Sequence, residues 1–130
     1  MKSYTDIEQS KKLEEILPIE SADMRYHTIS KYNPYPCDEI VYTIYFGNPS
    51  GDDIPCWSLA ALSKLMPFQI IKNNNRFGFY QVKGFNKQGE TYRFGYKTNN
   101  DSFLFETSWY NDVIDAAFEM VVWLKENDKL

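Results

Sequence analysis

The chain has 130 residues, 43% of them hydrophobic and 17% aromatic, and a net charge of −4. Such a chain can bury its own core, and the composition excludes a disordered segment and a uniformly basic nucleic-acid binder. The charge is unevenly spread: residues 72–97 hold Lys72, Arg76, Lys83, Lys87, Arg93 and Lys97 against Glu90 alone, a net +5 between flanks of −4 (residues 1–71) and −5 (residues 98–130).

The length fits one domain. The opening MKSYTDIEQSKKLEE is polar, so no secretory leader is expected, and the most apolar runs fall short of membrane-spanning length. A soluble cytoplasmic protein with no membrane contact is the expectation. In that compartment Cys37 and Cys56, which lack CxxC spacing, are expected as reduced thiols, with a Cys37–Cys56 bridge as the alternative.

In chain order, residues Tyr4–Leu17 read as a helix capped by Thr5 with Glu8 three residues on, and stopped by Pro18. Met24–Tyr32 and Glu39–Gly47 read as paired strands across the turn Asn33–Pro36. Both alternating sets of the second strand are apolar, which predicts a strand covered on both faces. Gly47–Asp53 is a turn cluster. The stretch Asp52–Pro67, DDIPCWSLAALSKLMP, reads as an apolar helix starting at Pro55, with Asp52 and Asp53 at its positive end. An antiparallel meander follows: Phe68–Lys72, Phe77–Lys83, Glu90–Lys97 and Ser102–Trp109, separated by Asn- and Gly-rich turns. In the third strand Tyr92, Phe94 and Tyr96 alternate with Thr91, Arg93, Gly95 and Lys97. A mostly apolar helix, Asn111–Glu126, closes the chain, with Asp112, Asp115 and Glu119 as a solvated stripe.

The chemistry-bearing residues are few. Cys56 near a helix start is the one candidate thiol nucleophile, and His27, the only histidine, its one candidate base. No zinc-ligand spacing and no phosphate-cradling glycine loop occurs, so no metal and no cofactor are expected. The basic, aromatic run RFGFYQVKGFNKQGETYRFGYK has the composition of a single-strand nucleic-acid surface, with Lys72, Lys83, Arg93 and Lys97 as candidate binding residues. Alternation argues the other way. It sends the aromatics of the third strand inward and its cations to water, a pattern that needs no ligand.

Three stretches carry a resemblance: Leu17–Met24, Pro55–Pro67 with its Pro-Cys-Trp-Ser-Leu start, and Asp115–Asn127 with its Glu-Met-Val-Val-Trp-Leu centre. Together they resemble a group of small uncharacterised proteins of anaerobic gut bacteria and their phages or integrated elements. Ser63 departs from that group's pattern, which has leucine there. The resemblance implies a mobile-element setting and brings no catalytic residues.

The expectation is one α+β domain of two layers, an antiparallel sheet of about five or six strands packed under the 55–66 helix and the C-terminal helix, with a short N-terminal helix. The expected core is Ile44, Phe46, Trp57, Leu59, Leu62, Leu65, Phe94, Phe105, Ile114, Phe118, Val121 and Trp123. A non-catalytic interaction or accessory protein, with an unknown protein partner or a second copy, is the first functional expectation. A single-stranded nucleic-acid module is the second, and a thiol enzyme using Cys56 the third.

Overall fold

A computed structural model describes residues 2–28 and 42–130. Cys37, the turn at 33–36 and the adjoining ends of the two strands expected around it lie outside the described residues. The architecture is α+β, with three α-helices and two antiparallel sheets, of three and four strands, where the sequence suggests one sheet of five or six.

The first helix, α1 (Ile7–Ile16), is capped one residue later than expected. Asp6 accepts the Gln9 amide at 2.8 Å, and the Gln9 side chain accepts the Asp6 amide at 3.1 Å. Thr5 is free for another task. Its hydroxyl accepts the Trp57 amide at 3.1 Å, and its own amide donates to the Trp57 carbonyl at 2.9 Å. Strand β1 (Met24–Thr28) lies between β2 (Tyr42–Phe46) and β3 (Ile54–Cys56). Among the described residues β2 has a neighbour on one side only, and none of its residues is fully buried, so it is not covered on both faces as expected. Phe46, placed in the core by pattern alone, ends the strand opposite Met24 and is 84% exposed.

The stretch read as a helix from Pro55 divides in two. Pro55 and Cys56 extend as β3, paired with Arg25 and Met24, and helix α2 covers only Leu59–Leu65. Its cap is Ser58, whose hydroxyl accepts the Ala61 amide at 3.2 Å while Asp23 holds the Ser58 amide at 2.9 Å. Trp57, between strand and cap, is fully buried, with its indole N–H on Ser21 Oγ at 2.9 Å.

The meander forms as its alternation predicts: β4 (Gln69–Lys72), β5 (Asn75–Asn86), β6 (Gly89–Lys97) and β7 (Phe103–Glu106) pair in sequence order. The β4–β5 turn is Asn73-Asn74, both at positive φ, the backbone a two-residue hairpin needs and asparagine tolerates. Helix α3 (Val113–Glu126) packs on β6 and against α2. Its buried residues Ile114, Ala117, Met120, Val121 and Leu124 join Leu62, Phe94 and Tyr96 in the main core. Phe105 stacks on Trp123 with centroids 4.5 Å apart. Leu13, Met120, Leu124 and Tyr96 are core residues absent from the expected set.

The acidic stripe of α3 is not a solvated face. Asp115 accepts Lys2 Nζ at 2.8 Å and Gln9 Nε2 at 2.7 Å, and Glu119 accepts the Tyr110 hydroxyl at 2.6 Å. These carboxylates fasten the N-terminal segment and the chain after β7 to the helix.

Candidate interaction surface

Cys56 comes first because it is the residue most suggestive of chemistry. It is a free thiol with no exposed surface. Its Sγ contacts the Thr5 carbonyl at 3.5 Å and the Thr5 hydroxyl at 3.7 Å, and burial pushes its pKa up despite those hydrogen bonds. It sits on a strand two residues before the Ser58 cap, so the helix dipole that would activate it at a helix start is not aimed at it. His27 cannot serve it as a base. In β1, Met24 is opposite Cys56 in register and shares its face with Tyr26, while Arg25 and His27 project from the other face.

On that other face Asp53 gathers both side chains. Its buried carboxylate takes His27 Nδ1 at 2.8 Å, Arg25 Nη1 at 2.9 Å and the Ser50 amide at 3.2 Å. The His27 hydrogen bond, then Arg25 and Ser50, outweigh burial and hold the Asp53 carboxyl down to about 2. Asp53 thus closes the turn after β2 onto β1. Among the described residues no group of three or more His, Cys, Asp or Glu is placed to hold a metal ion, and no helix is long and apolar enough to cross a membrane.

The four-stranded sheet has one face under α3 and one face with no described element over it. Register assigns each side chain to a face. Tyr92, Phe94, Tyr96 and Phe105 point toward α3. Arg93, Gly95 and Lys97 on β6 point outward, with Tyr80 and Val82 on β5 and Glu106 on β7 beside them. Of the four candidate binding cations, Arg93 and Lys97 therefore share the outer face. Lys83 is opposite Tyr92 on the other face, bound to Glu90 at 3.1 Å, and Lys72 falls on that same side at the β4–β5 turn. Arg76, opposite Ile71, takes the outer position that Lys72 lacks.

The outer face is built around two glycines. A Cβ on Gly95 would lie 2.5 Å from the Tyr80 ring, so Tyr80 can rest on the sheet only because position 95 is bare. Gly84 similarly leaves room for the Trp109 ring, which a Cβ there would meet at 3.4 Å. Cations lie over both rings: Lys97 Nζ is 5.1 Å from the Tyr80 centroid and Arg93 Cζ is 4.7 Å from that of Trp109. Phe103 continues the row 6.2 Å from Tyr80. Phe103 is 52% exposed and Trp109 44%, so the row is open to solvent.

Both outer cations are already matched. Arg93 Nη1 pairs with Glu106 at 3.2 Å and Lys97 Nζ with Asp101 at 3.0 Å. Two buried donor atoms between the rings, Tyr80 Oη and Arg93 Nε, have no hydrogen-bond partner among the described residues. Burial, and then the nearby Glu106 carboxylate, raise the Tyr80 pKa, although no well-aligned hydrogen bond joins them.

The sequence reading names Arg93 and Lys97 as candidates and does not single out Tyr80, Phe103, Trp109 or Arg76, which share their face. Alternation along β6 correctly turns its own aromatics inward, but the outer aromatics come from β5 and from β7 and the chain just after it. The usable signal was the pair of outward glycines, Gly84 and Gly95, each leaving a slot for a ring from a neighbouring segment. Comparison with known proteins matches no family model, no curated protein and no solved structure.

Proposed function

We propose that the chain is a non-catalytic interaction protein whose binding surface is the outer face of the four-stranded sheet, in the phage or mobile-element setting that the resemblance implies. The observation that carries this is the uncovered row Phe103–Tyr80–Arg93–Trp109. Tryptophan, tyrosine and arginine are the residues that dominate binding energy at protein interfaces, above all when clustered. Contiguous exposed apolar side chains on one face support the same reading. The partner that fits is a protein surface presenting apolar side chains among mixed charges, because Glu106 and Asp101 already neutralise the two cations.

A single-stranded nucleic acid remains the second reading, favoured by cations and stackable rings sharing one open face. The separation of Lys72 and Lys83 from Arg93 and Lys97 weighs against it.

Retention of binding proteins by immobilised full-length chain tests the proposal. A protein held by the wild type and lost from the Phe103→Ala/Trp109→Ala double variant is expected. Equal retention by both contradicts it. Salt-dependent binding of labelled single-stranded oligonucleotides, lost in Arg93→Ala, would move the assignment to the second reading.

A further inference from the structure

A different surface, the open edge of the same sheet, carries a second inference. Strand β4 ends the order β4-β5-β6-β7. The Phe79 amide donates to the Phe68 carbonyl at 3.1 Å, and the pairing runs on through Ile70 with Phe77 and Lys72 with Asn75. Antiparallel ladders alternate, so Phe68, Ile70 and Lys72 turn their peptide groups toward β5, and Gln69 and Ile71 turn theirs to the free edge. Among the described residues no strand pairs with that edge.

Edges are normally blunted by charges, a proline or a bulge. Pro67 stands before the first paired residue and Lys72, the one charge, at the last position of β4, so neither occupies the outward positions Gln69 and Ile71, and the sheet's irregularity lies on the opposite side, between Tyr96 and Lys97. Apolar groups flank the edge on both faces. Ile71 is 60% exposed on the outer side. Phe68 is 87% exposed on the inner side, next to a groove of about 320 Å³ lined by Leu59, Met66, Pro67, Phe79 and Phe94.

We propose that β4 is a self-association edge, pairing antiparallel with β4 of a second copy about a two-fold axis normal to the sheet. Such an axis keeps outer face with outer face and inner with inner. Centred on Ile70, it sets Gln69 opposite Ile71 of the copy, so the two residues whose peptide groups point outward exchange both hydrogen bonds. It also sets Phe68 opposite Lys72, so each lone cation meets an aromatic ring and not its own image. This match of the strand to itself, in hydrogen bonding, apolarity and charge, is what selects a second copy over a foreign strand. The contact is isologous and closes at two copies. It is independent of the outer-face proposal, though it would set two outer faces side by side on one continuous sheet.

The test is sedimentation equilibrium of the full chain from about 5 to about 500 µM, with amide exchange followed at Gln69 and Ile71. Concentration-dependent dimers are expected, with both amides slowing as dimer forms. Ile71→Pro removes an edge donor and none of the bonds to β5, and Phe68→Ser alters a side chain that contributes little to the monomer's core. Each should weaken association about tenfold or more, with circular dichroism unchanged. Trp109→Ala should leave association intact, which separates this edge from the outer face. A chain monomeric throughout the range overturns the proposal, including the case in which an added foreign strand takes the edge. Dimers that persist unchanged in both edge variants overturn it as well.

Discussion

The two faces of the four-stranded sheet use the same residue types and are packed differently. On the inner face Tyr92, Phe94 and Tyr96 are buried against α3. On the outer face Tyr80, Phe103 and Trp109 lie against the sheet with solvent beyond them. The contrast comes from what each face is packed on. An aromatic side chain gains most when both its sides are buried, and a ring resting on a glycine has only one side buried. The inner face should therefore govern stability and the outer face recognition.

The largest expected effect breaks the inner face. Phe94→Ala removes a ring that is 2% exposed and should cost about 3–5 kcal/mol in urea unfolding. Gly95→Ala should come next. The new methyl falls on the Tyr80 ring and should cost about 1–3 kcal/mol. In a Tyr80→Ala background the same change should cost less, and a double-mutant cycle reads the difference. Additive losses would mean that the glycine serves some other purpose.

A smaller effect lies in the three-stranded sheet, where a buried carboxylate is shared by His27 and Arg25, unlike the partly exposed Glu106 that pairs with Arg93. Asp53 titrates at about 2 in the fold, below the ordinary carboxyl value of about 3.9. A depressed pKa contributes stability that is fully present above the unfolded value and is lost as pH falls from about 4 toward 2. Asp53→Asn should lower stability at neutral pH and flatten its decline across that window, as followed by thermal melts. The smallest stability effect is expected at Trp109→Ala, about 1 kcal/mol or less, because the ring is nearly half exposed.

How much of this was legible in the sequence follows from the range of the interactions involved. The meander and the closing helix were readable because period-two alternation, an Asn-Asn turn and a long apolar helix are local signals. The division at Pro55–Ser58 was not. Proline before an apolar run fits a helix start as well as an edge strand, and what decides is the pairing of Cys56 with Met24, thirty-two residues away in sequence. Phe46 misled because β2 alternates as a covered strand does but has a neighbour on one side only among the described residues. Thr5 as a cap failed for a related reason: Trp57, far along the chain, claims its hydroxyl. The candidate surface was half legible. Arg93 and Lys97 follow from one strand's alternation, whereas Tyr80, Trp109 and Phe103 become their neighbours only through register between strands and through glycines that admit the rings.

Hydroxyl-radical footprinting of the full chain measures the contrast between the faces most directly. The account predicts fast modification of Trp109 and Phe103 and strong protection of Phe94, Tyr96 and Trp57. Protection of Trp109 and Phe103 as complete as that of Trp57 would mean that the outer face is covered, and it would contradict the assignment of that face to recognition.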